Sequence, residues 1–109
     1  MDEHERRLKR SNINVNFPAM AKGIYELLPE EYVSALAFGM CPAPFMDLAE
    51  KEFKRKIASA SIRKSGDEPT EESITYCVQF IDKAIVNAFN HLLALAMLGE
   101  AKRNGALVV

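Results

Sequence analysis

The sequence predicts an all-α protein, a compact bundle of roughly three to five helices around a long C-terminal helix at about residues 71–103. The main observation is an apolar seam in that helix, whose members recur at alternating steps of four and three residues. This spacing is typical of a helix that presents one face to another helix. The scarcity of β-branched runs in the rest of the chain also favours helix over sheet.

Capping signals bound the long helix at both ends. Thr70 follows a proline and precedes two glutamates, as an N-cap residue does, and Asn104-Gly105 is a typical left-handed C-cap pair. The helix would be about 50 Å long, whereas a compact domain of this size is roughly 27 Å across. A second copy of the chain would cover the excess apolar length, so the sequence predicts a homodimer. The candidate interface residues are Ile74, Val78, Ile81, Ile85, Ala88, Leu92 and Leu95.

The N-terminal segment is strongly charged. Residues 1–11 are expected to form a charged arm, and residues 12–109 a single helical domain. The arm is either a solvated tail or a basic element that contacts phosphates. Its candidate contacts are Arg6, Arg7, Lys9 and Arg10.

Residues 12–17 alternate asparagine with an apolar residue and stop at Pro18. The alternation predicts a possible short strand with one buried face. Together with the preceding Lys9 and Arg10 and the amphipathic helix that follows, the segment resembles the start of ribbon-helix-helix DNA-binding proteins. That resemblance implies that strands from two chains pair and place polar side chains in the DNA major groove. The matching polar residues are Asn12, Asn14 and Asn16.

Two alternatives remain for this alternating segment. Its apolar residues could instead plug the core of the helical bundle, without forming a strand. If it is a strand, it needs a partner, and the strand-like residues 106–109 or a second chain could supply one.

Prolines divide the middle of the chain. Residues 19–28 and 29–39 read as two short helices or as one helix kinked at Pro29. Pro42 and Pro44 then interrupt the chain before a longer helix that extends to about residue 64. One face of that helix is basic, which is typical of a solvated surface but also of a docking surface for nucleic acid or an acidic partner. Its basic residues are Lys51, Lys54, Arg55, Lys56, Arg63 and Lys64.

No motif in the sequence indicates catalysis, a cofactor or a metal. The phosphate-binding loop, the zinc-protease motif and the nucleophile elbow are all absent. Cys77 and His91 would lie about 21 Å apart along one helix, although a Cys41–His91 pair stays geometrically open. The histidines stand at opposite ends of the chain, without ligand spacing.

The balance of charge and cysteine content points to the cytosol. The net charge is −1 and there are two cysteines, so neither a strong bias towards nucleic acid nor a disulfide scaffold is indicated. The apolar run after His91 is too short to span a membrane. We therefore expect a cytoplasmic, non-enzymatic helical module that binds another protein and forms a homodimer through its C-terminal helix. The alternative is a dimeric nucleic-acid-binding regulator that uses the arm, residues 12–16 and the basic helix.

Overall fold

The computed structural model describes residues 2–105, and these residues are all-α, with no strand among them. The predicted helical class is therefore confirmed, although the helices in this range number six. Their bounds are α1 Glu3–Arg10, α2 Phe17–Leu27, α3 Glu30–Ala37, α4 Ala43–Lys64, α5 Glu71–Val78 and α6 Lys83–Arg103. The strand-like residues 106–109 lie outside the described part of the chain.

Helix α6 is the centre of the bundle, as the sequence predicted for the C-terminal helix. Helices α1, α2, α3 and α4 all pack against it. Its Phe89, Leu93 and Met97 are completely buried and form the middle of the main core, where Leu36 of α3 and Ala21 of α2 join them. The ring of Phe89 stacks on Phe53 of α4 with 3.9 Å between centroids.

The predicted helix over residues 71–103 is two helices in the structure. Helix α5 ends at Val78, and α6 begins after Asp82, whose carboxylate accepts a hydrogen bond from the Ala84 amide at 2.9 Å. An aspartate that caps a new helix start satisfies amides that would otherwise lack partners. This break lets α5 pack on α4 while α6 enters the main core. The predicted caps at the outer ends are confirmed: Thr70 accepts from the Ser73 amide, and Gly105 is left-handed with φ 69°.

The strand predicted at residues 12–17 does not form, because the asparagines cap helices. Asn12 is left-handed with φ 58°, and the amides of Asn12 and Ile13 donate back to the carbonyls of Lys9 and Leu8 at the end of α1. Asn16 caps α2 by accepting from the Ala19 amide at 3.1 Å. The three apolar residues of the segment, Ile13, Val15 and Phe17, pack on the main core, as the alternative interpretation had it.

Helix α1 occupies the sequence that was expected to form a charged arm. Asp2 caps it, and Leu8 is 3% exposed within the main core against α6. Its acidic residues lie in the first turn and its basic residues in the last, which complements the helix dipole. The segment is therefore a packed helix.

A second, smaller core joins α4 and α5. Ala58 and Ile62 of α4 pack on Ile74 of α5, with Cys77 and Val78 beside them.

Helix α6 is long and apolar enough, by length and composition, to cross a membrane, with a mean hydropathy of 1.3 over its most apolar 18 residues. A helix at the centre of a bundle commonly has this length and composition, and α6 lies at the centre of this one.

Candidate functional site

A mainly apolar groove lies between α2 and α4. Both helices contact α6, but they do not pack closely against each other. The space between them has a volume of about 470 Å³. Its lining is mainly apolar and consists of Val15, Met20, Ile24, Phe45, Leu48, Ala49 and Phe53, with Asn14, Asn16, Glu52 and Lys56 at the edges.

A second depression of about 500 Å³ continues the groove along α4 towards the end of α1. The two share Asn14, Val15, Phe53 and Lys56, so they form one surface, which we call the α4 groove. Measured from Phe45 to Lys64 along the helix axis, the α4 groove is about 28 Å long. Its far part adds Ile57, Ala60, Ile85 and Lys64 to the lining.

The α4 groove exists because α4 is apolar on more than one side. One side of α4 is buried inside the chain through Phe53, Ala58 and Ile62. Leu48 lies on the groove side and remains 61% exposed, although a large apolar side chain gains about 1.5–3 kcal/mol when it is covered. The described chain thus leaves part of α4 without a packing partner.

The two ends of the α4 groove carry opposite charges. At one end, the ring of Tyr32 packs edge-on against Phe45 with 5.6 Å between centroids, which brings the first turn of α3 and its Glu30 and Glu31 to this end. At the other end Lys64 lines the cavity, while Lys56 lies in the part that the two depressions share. An occupant that is basic at one end and acidic at the other would match this arrangement.

The residues of the predicted dimer seam differ in how deeply they are buried. Ile74, Ala88 and Leu92 are buried within the chain. Val78, Ile81 and Ile85 are half-buried, whereas Leu95 is 51% exposed on the outer side of α6. Much of the seam thus packs against helices of its own chain, and Leu95 is the member most available to a partner.

The predicted phosphate-contacting residues also separate into groups. Asn14, Lys56 and Lys64 meet in the α4 groove, next to Asn12. On α1, both Arg7 and Arg10 approach Glu3, at 3.8 and 3.1 Å. The remaining candidates on α1 are Arg6 and Lys9.

Helix α4 presents its other basic residues on different sides. Arg55 pairs with Glu71 of α5 at 2.6 Å. Lys54 lines a separate depression at the junction of α5 and α6. Arg63 and Lys64 lie in the last turn, where they complement the helix dipole, and Lys51 is exposed. The predicted basic face is therefore divided rather than continuous.

The Cys41 thiol has an environment opposite to that of an activated nucleophile. Its Sγ donates to the carbonyl oxygen of Ala94 at 3.7 Å, and burial raises the pKa of the Cys41 thiol above its ordinary value. A reactive thiol needs a lowered pKa, because the thiolate is the nucleophile. The open Cys41–His91 pairing thus gains no support from this geometry.

The structure brings together two histidines that sequence spacing kept apart. The rings of His4 and His91 stack with 4.0 Å between centroids and an angle of 18° between their planes. Asp2 lies beside them, and its Oδ1 is 2.9 Å from His4 Nδ1. A sequence signal for this meeting existed: His4 precedes the core residue Leu8 by one helical turn, so both share the face of α1 that packs on α6.

Comparisons with protein-family models, with curated proteins and with solved structures found no match to this chain.

Proposed function

We propose that this chain is a non-enzymatic protein-interaction module that works as a homodimer, with the α4 groove as the surface between the two copies. The observation that carries the proposal is the apolar groove itself, which is lined by the exposed Leu48 together with the buried Phe53. Apolar clefts of this kind with polar rims mark association surfaces more often than ordinary surface.

The amount of exposed surface supports a partner of substantial size. The chain exposes 7242 Å², whereas a compact monomer of its mass exposes about 6,100 Å². Its radius of gyration is 15.3 Å, against about 13 Å for a compact domain of this length. The excess area is similar to the roughly 800 Å² that each partner contributes to a standard interface.

The charges at the two ends favour a second copy as that partner. In a dimer with a two-fold axis the same surface is used twice, and an axis perpendicular to the groove brings opposite ends of the two grooves together. Glu30 and Glu31 of one protomer then face Lys64 of its partner, and Leu48 of each protomer is covered by the far part of its partner's groove. The pairing would select this antiparallel arrangement over a parallel one, in which like charges would meet.

The proposal is tested by the substitution Leu48→Asp, compared with Leu95→Asp on α6. Leu48→Asp removes about 1.5–3 kcal/mol of apolar burial per copy, and two-fold symmetry counts it twice. The dimer dissociation constant is therefore expected to rise roughly 100- to 10,000-fold. Sedimentation velocity over a range of concentrations measures this constant, and circular dichroism checks that both variants remain helical.

The matched variant Leu95→Asp distinguishes a dimer interface at the α4 groove from one at the seam predicted from sequence. Both leucines are exposed in the described chain, so neither charge should prevent folding of the protomer. A dimer lost in Leu48→Asp and kept in Leu95→Asp is the expected pattern. The reverse pattern would place the interface on the seam predicted from sequence, and a monomeric wild-type protein at high concentration would refute the homodimer.

Nucleic-acid binding is a second candidate function, favoured by one observation. Asn14, Lys56 and Lys64 line the same part of the α4 groove, close to Asn12 and the basic end of α1. Such a surface would contact phosphates through lysine and asparagine side chains. It would not use a ribbon-helix-helix strand, because residues 12–17 do not form one.

A further inference from the structure

We propose that Asp2, His4 and His91 form a binding site for a divalent transition metal ion, with Zn²⁺ as the ion that best fits their chemistry. Each residue offers one ligand atom, and these atoms all lie within 4.8 Å of one another. The site joins the start of α1 to the middle of α6, so its residues are far apart in the sequence but close together in space.

The donor set suits zinc. Two imidazole nitrogens and one carboxylate oxygen are ligands that zinc commonly takes, at about 2.0–2.2 Å. Hard cations such as Mg²⁺ and Ca²⁺ prefer sites built from oxygen ligands, so two imidazoles select against them. Three protein ligands would leave the fourth tetrahedral position to a water molecule.

The ligands are already oriented by their surroundings. The backbone amide of His4 donates to Asp2 Oδ1 at 2.7 Å, and this contact, as the cap of α1, fixes the carboxylate next to the imidazole. Packing of Leu8 on α6 holds His4 over His91. No unfolding or helix movement is required to collect the three side chains.

A small closure of the side chains would complete the coordination sphere. Tetrahedral geometry with these bond lengths places ligand atoms about 3.4 Å apart, so separations that lie within 4.8 Å must shorten by at most about 1.4 Å. The two imidazole rings are nearly parallel, and they must also rotate away from each other so that a nitrogen lone pair of each ring points at one ion. The side chains of Asp2 and His4 are 41% and 38% exposed and His91 is exposed, which leaves room for this small rotation about their side-chain bonds.

The bound ion would clamp α1 to α6. A ligand that binds only the folded arrangement stabilises it in proportion to the logarithm of its concentration over the dissociation constant. Zinc is therefore expected to protect the amides of α1 from hydrogen exchange more than those of α5, which lacks a ligand in this site. This effect distinguishes a built site from loose association with surface carboxylates.

The test is isothermal titration calorimetry of the 109-residue chain with zinc chloride, in a buffer that does not chelate metals. To remove thiol ligands, the background carries Cys41→Ser and Cys77→Ser. We expect one zinc per chain with micromolar or tighter affinity. The variants His4→Ala and His91→Ala should each weaken binding by roughly 100-fold or more, since even residues that only orient a ligand are worth 10- to 100-fold.

Asp47→Asn removes an exposed carboxylate elsewhere and serves as the matched control. It should leave zinc affinity unchanged, whereas Asp2→Asn should reduce it. Substitution with Co²⁺ gives a second readout, because a nitrogen and oxygen site shows ligand-field absorption without a thiolate charge-transfer band. Zinc affinity that is only millimolar, or that survives in both histidine variants, would overturn the proposal.

Discussion

The substitution Phe89→Ala tests whether the three-helix aromatic contact is the main source of stability. Phe89 is completely buried on α6, its ring stacks on Phe53 of α4 at 3.9 Å, and it meets Phe17 of α2 at 5.7 Å between centroids. Truncation to alanine removes the whole ring from the place where these helices converge. Substitutions of this kind cost about 3–5 kcal/mol, and the two ring contacts favour the upper part of that range.

That loss is large compared with the whole stability of the protein. A chain of 109 residues is expected to have a free energy of unfolding of about 5–15 kcal/mol. With a urea m-value of about 1.5–2 kcal/mol/M, Phe89→Ala should lower the unfolding midpoint by roughly 1.5–3 M. Far-UV circular dichroism during urea titration measures the midpoint, with all proteins at the same low concentration so that dimerisation contributes equally.

Phe80→Ala is the matched control. Phe80 lies between α5 and α6, is 69% exposed and touches mainly the ring of Tyr76 at 5.1 Å between centroids. Its loss should change the unfolding free energy by no more than about 1 kcal/mol. Equal effects of the two substitutions, or a loss below about 1.5 kcal/mol for Phe89→Ala, would refute the placement of Phe89 at the centre of the core.

Two further expectations concern charge. The pKa of the nearly buried Glu100 is lowered, chiefly by the hydrogen bond from Arg103, so its contribution to stability is present above its ordinary pKa of 4.5 and is lost as the pH falls through the lowered folded value. In acid unfolding followed by circular dichroism, Glu100→Gln should lose less stability than wild type as the pH falls. The substitution Glu68→Gln, at an exposed position, should behave as wild type. Fluorescence anisotropy with mixed-sequence duplex DNA should show no binding that weakens steeply with salt. A steep salt dependence that falls in Lys56→Glu or Lys64→Glu would instead favour the nucleic-acid function.

Features governed by neighbouring residues could be predicted from the sequence. Thr70 and Gly105 were identified as caps because capping depends on side chains and dihedral angles within one helical turn. The start of the fourth helix near Pro44 followed from the missing amide and fixed backbone angle of proline. The central position of α6 followed from its apolar composition, since such a helix must be covered on most sides.

The misassigned segments contain residues whose local patterns allow two structures. Alternation in residues 12–17 fits a strand, but Asn12 and Asn16 are also strong capping residues, and the ends of α1 and α2 use them in that way. The single helix predicted over residues 71–103 ran through Asp82, although aspartate is equally suited to start a helix. The position of neighbouring helices decided each case.

The candidate sites depend still more on contacts between distant parts of the chain. The apolar seam over residues 74–95 has the same spacing whether it packs on helices of its own chain or on a second copy, so periodicity alone could not say which surface stays open. The α4 groove arises from the angle between α2 and α4, and the pairing of His4 with His91 arises from the docking of α1.

The sequence by itself determined that this protein is all-α, that a C-terminal helix lies at its centre, and where most of its helices begin and end. These properties follow from short-range rules, because propensity, capping and apolar periodicity act within a few turns of one helix. Only the tertiary structure decided that the long helix breaks at Asp82, that α4 keeps an apolar groove, and that Asp2, His4 and His91 share one site. Such features depend on how separate helices pack, and packing joins residues that no local pattern connects.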